Sequence, residues 1–470
     1  MQRTQGFLRT YVFLSVLVAL ACLRVCFASV LWSDEDYHMA AAIDILHGKM
    51  PYRDFWYDKP PLAAVYYLLM DALPGVILRL WDAAYILLCC FLGYKLARSW
   101  WGEREGRWAA FLIAFFTTFY MPSAVIPFAA DALLIAPHLA AIYLVRQGRP
   151  LAAGAMCGLG FWINVKALFV LAACALWGWS ALLGFSGILV LGAVALIPGG
   201  ALLAYWVQVW AWGMGYASGS PVAHPLALAL ERVGHWLGFH LALALGWCNA
   251  IWHEEREEQV KLALWLGFSF AAVCLGNHFA PRYFLQMLPP LAVVGARGIA
   301  LALGQEKRWA IAAICLLLAV PFVRFGPRYL LMARHAPWGD IALDLDSQQV
   351  SARINALKRP GDTLFVWGYR PDMYVFTRLS PPGVIWDSQP LTGVAADRHL
   401  TAQEPSLTRQ TEENWYDAVQ PVFLVDGLGP LNNNLRPEKF EKMRRWLKDY
   451  REIGRTKLSI IYRRIDKPTS

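Results

Sequence analysis

The chain has 470 residues, 57% of them hydrophobic and only 16% charged, with a mean hydropathy of +0.38. Soluble domains carry about a quarter charged residues, so a purely soluble protein is excluded, while 22 Trp, 19 Tyr and 24 Phe exclude a disordered one. The formal charge of +9 is scattered between apolar runs and forms no dense basic stripe, so membrane lipid rather than nucleic acid is the expected partner.

Charge divides the chain in two. Residues 1–326 hold 22 Lys+Arg and 17 Asp+Glu of the chain's 43 and 34, and the rest falls in the last 144 residues. This reads as a transmembrane domain over 1–326 and a soluble α/β domain over 327–470. The nine cysteines all lie in apolar runs and read as small core residues, arguing for neither disulfides nor a metal cluster.

Apolar stretches near 10–31, 73–97, 108–121, 126–145, 151–165, 167–183, 185–208, 228–251, 260–276, 283–303 and 309–325 predict an all-α polytopic domain of about eleven transmembrane helices. The first reads as an uncleaved anchor, since Arg24 interrupts its end and no clean cleavage site follows. Arg3, Arg9, Arg98, Arg104, Arg107, Arg146, Arg149, Arg256, Lys261, Lys307 and Arg308 fall in loops on one side, which the positive-inside rule makes cytoplasmic. The segment 32–72, the loops near 122–127, 209–227 and 277–282, and the C-terminal domain then face the outside of a cytoplasmic, or inner, membrane.

The stretch 32–72 is unusually acidic, with Asp34, Glu35, Asp36, Asp44, Asp54 and Asp58 followed by Asp71. Ser33 with Asp36 resembles a capping box, and Met39, Ile43 and Leu46 recur at helical spacing before Gly48 and Pro51. This predicts a short amphipathic helix on the outer membrane surface. The run Pro51-Tyr52-Arg53-Asp54-Phe55-Trp56-Tyr57-Asp58-Lys59-Pro60-Pro61 mixes aromatics, carboxylates and cations at headgroup level. A carboxylate there suits a base taking a proton from an acceptor, and a cation suits a departing lipid phosphate. Each residue also has a plainer reading: Asp34 as a helix cap, Lys59 as a snorkelling side chain, Tyr52 as an interface anchor.

Asp131 interrupts the apolar run 126–136, where an uncompensated carboxylate is costly and function is the default reading. Lys166 sits in a similar run and suits phosphate or a helix end. Arg282 and Tyr283 open an apolar span and suit either phosphate binding or anchoring. His38, His47 and His278 show no paired ligand spacing, so no metal is expected.

In the C-terminal domain, helices are predicted at 347–357, 405–418 and 437–450, and strands at 363–367, 421–425 and around 458–462. Gly368 to Pro371 reads as a turn opening a helix, and Asp387, Asp397 and Asp426 as turn or surface acids.

In this order and sidedness, the sequence resembles the GT-C membrane glycosyltransferases, in particular the group of protein O-mannosyltransferases and the aminoarabinose transferase acting on lipid A. The resemblance rests on Asp34-Glu35, on Gly48-x-x-Pro51-Tyr52-Arg53-Asp54 and on Lys59-Pro60-Pro61. It continues through Asp131, Arg282-Tyr283-Phe284-Leu285-Gln286, Val366-Trp367-Gly368 and Pro390-Leu391-Thr392-Gly393, and so spans nearly the whole chain.

The resemblance implies an inverting single displacement. A monosaccharide would pass from a polyprenyl-phosphate donor to an acceptor glycan, lipid or protein, without a cofactor or an essential metal. It implies Asp34 as base, Glu35 as its orienting neighbour and Lys59, with Arg282 and Lys166, at the donor phosphate. Tyr52, Arg53, Asp131 and Tyr283 would complete the substrate cavity. A transporter, a lipid flippase or a glycolipid-binding scaffold would also want buried charges. Against a transporter stand the lack of a repeated half, the acids gathered in one loop and the large C-terminal domain.

Overall fold

A computed structural model describes residues 2–214, 224–305, 308–336, 338–392 and 420–465. The expected helix 405–418, Gly393, Asp397 and part of the loop 209–227 lie outside the described residues. The apolar runs fold as helices. The first eight are α1 (Gln2–Cys22), α2 (Glu35–Leu46), α3 (Leu62–Leu68), α4 (Val76–Trp101), α5 (Glu103–Phe116), α6 (Pro122–Val125), α7 (Ala130–Leu133) and α8 (Ile135–Arg146). There follow α9 (Pro150–Phe161), α10 (Ala167–Ala175), α11 (Ala181–Leu196), α12 (Leu202–Tyr205), α13 (Pro225–Ile251), α14 (Arg256–Cys274), α15 (Leu288–Gly304) and α16 (Arg308–Ala333).

Among the described residues, four helical stretches are long and apolar enough to cross a membrane: Thr10–Phe27, Val76–Trp101, Pro281–Gly304 and Arg308–Ala333. Other expected spans are interrupted. The run 126–145 breaks into α7 and α8 after the separate turn α6, and 167–183 stops at Ala175 and resumes at Ala181. Leu203, Leu226, Leu316 and Val323 are each more than two thirds exposed. Such faces are stable against hydrocarbon and not against water, and the chain is a membrane protein.

Helices approach closely where glycines face each other. A Cβ on Gly298 of α15 would stand 1.8 Å from the Gly246 carbonyl oxygen of α13, and one on Gly154 of α9 would stand 1.8 Å from the Ala181 carbonyl oxygen of α11. Small residues at such crossings let backbones pack without intervening side chains.

Two expectations for the acidic loop are corrected. The helix begins at Glu35, with Asp34 in the cap position making no side-chain cap bond. The Trp32 N–H is taken by Glu35 Oε1 at 3.0 Å, so Ser33 is not the cap. Nor does α2 lie on a surface: every residue from Glu35 to Asp44 is buried, enclosed by α3 and by the C-terminal part.

The C-terminal part is a four-stranded sheet in the order β1-β2-β4-β3, with β1 Leu364–Trp367, β2 Phe423–Asp426, β3 Tyr450–Arg455 and β4 Ile460–Arg464. Strands β1 and β2 pair in parallel, Leu364 opposite Phe423, and both are wholly buried. The antiparallel β4 places Ile461 opposite Val425. Helices α17 (Ala342–Asn355), α18 (Asp372–Thr377), α19 (Gln389–Thr392) and α20 (Glu441–Leu447) accompany the sheet.

The expected helix 437–450 is corrected to a 3₁₀ turn, Pro437–Lys439, and α20, because Phe440 between them is extended at φ −96°, ψ 119°. Tyr450 then starts β3. This strand is mostly polar and half-exposed, so it lacks the apolar alternation that marks a strand in sequence.

Candidate functional site

Asp34 occupies φ 80°, ψ −40°, a left-handed conformation unusual for any residue with a Cβ. Such backbone costs about 1–3 kcal/mol and persists only where its surroundings hold it. Glu35 supplies the hold. It is fully buried, and its carboxylate accepts from Arg79 Nη2 at 2.6 Å and Nη1 at 2.8 Å as well as from the Trp32 N–H. Arg79 also donates to Asp82 at 2.8 Å and to the Val30 carbonyl at 2.8 Å. The two-pronged pairing and the backbone bonds satisfy a charge cluster that would otherwise be costly to bury. Beside it, Arg24 donates to the carbonyls of Thr117, Val125 and Ile126.

The turn projects Asp34 into a cavity of about 720 Å³ between the helical and C-terminal parts. There Asp34 Oδ2 pairs with Arg282 Nη1 at 2.5 Å. Arg282 lies on the 3₁₀ turn Pro281–Met287, and its guanidinium is 5.5 Å from the Tyr283 ring centre.

Asp131 stands in the first turn of α7, where it meets Lys166 Nζ at 2.8 Å and accepts from Asn164 and Gln286, both at 3.2 Å. Lys166 caps α10, and its ammonium lies 3.4 Å from the Tyr283 ring centre, a cation–π contact. All three charged groups sit where apolar runs are interrupted. Non-helical backbone at such depth is tolerated where it lines a polar cavity.

Lys59 enters from the loop ahead of α3. It pairs with Asp58 at 2.7 Å, its side chain is 41% exposed, and its ammonium lies 5.7 Å from the Tyr37 ring centre. Tyr37 accepts from the Asp58 N–H at 3.1 Å. His38 also lines the cavity, and burial pushes its imidazole down to about 3, so it is neutral and bonds through Nδ1 to the Tyr57 hydroxyl at 2.6 Å. Among the described residues, no three His, Cys, Asp or Glu stand together as a metal ligand set.

The structure therefore brings together Asp34, Lys59, Asp131, Lys166, Arg282 and Tyr283. Three other residues named from the sequence lie outside the cavity lining. Glu35 is committed to Arg79 beneath it. Tyr52 is buried with its hydroxyl on the Lys59 carbonyl at 2.8 Å, and Arg53 is half-exposed and paired with Asp54 at 2.7 Å.

Sequence reasoning missed Asp58, Tyr37, Trp56, Tyr369 and Asp387, all of which line the cavity. Asp58 was legible as the carboxylate next to Lys59. Asp387, expected at the surface, is 9% exposed, and burial pushes its carboxyl up to about 7. Asp426 is indeed a turn acid, accepting from the Leu428 and Gly429 N–H groups, although it is buried.

No protein-family model matches the sequence, and no curated protein is detectably similar to it. Solved structures are similar in fold. ArnT from Cupriavidus metallidurans bound to undecaprenyl phosphate superposes with a TM-score of 0.61 at 12% identity, over 97% of this chain and 98% of that one. The apo form of the same enzyme gives 0.56. The Archaeoglobus fulgidus oligosaccharyltransferase in its apo form gives 0.52 at 12% identity, over 94% of this chain and 72% of that one. Both are GT-C enzymes, so the resemblance read from the sequence is met at the level of fold.

Proposed function

We propose that the protein is an integral membrane glycosyltransferase that moves a monosaccharide from a polyprenyl phosphate to an acceptor hydroxyl or phosphate at the outer face of the membrane. One observation carries this reading: a conformationally strained aspartate, Asp34, faces a cavity also lined by Lys59, Lys166 and Arg282. The likeness in fold to an enzyme bound to undecaprenyl phosphate supports it.

In the proposed step the acceptor oxygen attacks the anomeric carbon of the sugar from the face opposite the phosphate. Asp34 takes the proton of an acceptor hydroxyl as the new C–O bond forms. The bond from the anomeric carbon to the phosphate oxygen breaks, and the electron pair leaves with the polyprenyl phosphate. Lys59, with Lys166 and Arg282, stabilises the departing charge, a contribution of about 3 kcal/mol for a single well-placed donor. Holding donor and acceptor in line contributes up to about 7–11 kcal/mol.

Asp34→Asn is expected to abolish transfer while leaving lipid-phosphate binding largely intact, and Lys59→Ala to weaken use of the donor. Transfer by purified protein from a polyprenyl-phosphate sugar, followed with a radiolabelled donor, tests both. Undiminished transfer by Asp34→Asn removes the base. A wild-type protein that moves lipid across vesicles and glycosylates no acceptor overturns the reading in favour of a transporter.

A further inference from the structure

The two sides of the cavity differ in chemistry. Lys59, Lys166 and Arg282 come from the helical part, whereas the C-terminal part contributes the phenol of Tyr369 and the carboxylate of Asp387. Among the described residues its single lining cation, Arg370, is committed to Asp346 and Ser347 and to the Leu343 carbonyl. A wall of phenol, carboxyl and amide groups suits the hydroxyls of a ligand. Asp387 Oδ1 accepts the Gln389 N–H at 2.7 Å. The Gln389 side chain also hydrogen-bonds this carboxyl, so the pair presents both donors and acceptors to the cavity.

We propose that Tyr369 and Asp387 recognise the hydroxyl groups of the sugar ring carried by the donor, an assignment that rests on the transferase reading above. Position argues for the sugar. The Tyr369 ring is 6.0 Å from that of Tyr37, which in turn lies 5.7 Å from the Lys59 ammonium. Tyr369 and Asp387 line the same cavity as Asp34 and as Asp58, the partner of Lys59. In a displacement the sugar ring spans the gap between the leaving phosphate and the base. Tyr369, next to the Tyr37 ring that neighbours Lys59, and Asp387 are the polar groups that the C-terminal part offers such a ring. An aromatic ring suits the C–H face of a sugar, and a carboxylate suits its hydroxyls.

The wall is also held rigidly, as a recognition site requires. The Trp56 N–H donates to the Val384 carbonyl at 2.8 Å, and the Phe55 and Trp386 rings stack at 5.3 Å. The Tyr374 hydroxyl donates to the Trp386 carbonyl, fixing the backbone next to Asp387.

The test compares binding of bare undecaprenyl phosphate with that of undecaprenyl phosphate carrying mannose, glucose or arabinose, using the full chain in detergent. Wild type is expected to bind one of the sugar-bearing lipids more tightly than the bare one. Asp387→Asn is expected to cut that preference by about threefold to tenfold, the worth of a hydrogen bond, with Tyr369→Phe cutting it less. Unchanged binding of bare undecaprenyl phosphate reports an intact fold, and Tyr369→Phe serves if Asp387→Asn does not fold. Variants that keep the full preference, or a wild type with no preference, overturn the assignment alone. A wild type that binds none of these lipids overturns the transferase reading and the assignment with it.

Discussion

At the scale of single residues, the site depends on charges buried beneath it. Arg79, Glu35 and Asp82 are fully enclosed, and the arginine is what keeps two carboxylates tolerable side by side. Arg79→Leu is therefore expected to destabilise the protein by about 3–5 kcal/mol, read as a lower unfolding temperature in detergent. A shift within error would show that the cluster does not support the Asp34 turn. Asp387 makes a prediction in pH. Burial lifts its carboxyl from 3.8 to about 7, with the Gln389 N–H lowering it and Asp58 raising it. Between those values the unfolded chain has lost the proton and the folded chain keeps it. Its contribution to stability is thus complete below about pH 4 and is lost as pH rises through about 7. Asp387→Asn cannot ionise, so its unfolding temperature relative to wild type should climb from about pH 4 to about pH 7 and level off above that. A gap that stays constant with pH would show that this carboxyl titrates normally.

At the scale of elements, glycine contacts and helix breaks place the polar groups. Helices α13 and α15 approach so closely that Gly298→Ala pushes a methyl into the Gly246 carbonyl, whereas a Cβ on Gly234 of α13 meets nothing within 4 Å. Gly298→Ala should cost about 1–3 kcal/mol through overpacking, and Gly234→Ala should be neutral or slightly stabilising, since alanine is the better helix former. Equal unfolding temperatures for the two variants would contradict the close crossing. The breaks matter as much as the helices: α7, the start of α10 and the 3₁₀ turn at Pro281 deliver Asp131, Lys166 and Arg282 to one cavity.

At the scale of the whole molecule, opposite ends of the bundle carry different charges. Arg146 meets Glu258 at 3.1 Å, Arg297 meets Glu105 at 2.8 Å, and Trp101 Nε1 donates to Glu254 at 2.8 Å, so these helix ends gather at one pole. The cavity and the C-terminal part lie at the other. There Arg378 donates to the Asp71 carbonyl at 2.8 Å, Ser380 Oγ to Asp44 at 2.5 Å and Gln348 to the Ser29 carbonyl at 2.7 Å. Arg98, Arg104, Arg107, Arg149, Arg256 and Lys261 lie near these same helix ends, and the positive-inside rule predicts that this pole is cytoplasmic. Alkaline phosphatase fused after Ser470 should accordingly be active in a bacterial host and green fluorescent protein at the same site dark. The reverse result would turn the molecule over.

Membrane character, the helical class and the crowded acids after the first span were legible in residue order, because hydropathy and charge are properties of neighbouring residues along the chain. Asp34, Lys59, Asp131 and Arg282 stood out for the same reason: a charge among apolar or aromatic neighbours is visible locally. Only the tertiary structure separated Asp34 from Glu35, turning one into the cavity and burying the other on Arg79, since that choice depends on a partner 44 positions away. It likewise enclosed α2, which reads as a surface helix until the C-terminal part covers it, and drew Tyr369 and Asp387 to the cavity across more than 300 residues of chain. Burial and long-range pairing are made by packing between distant segments, and no local pattern encodes them.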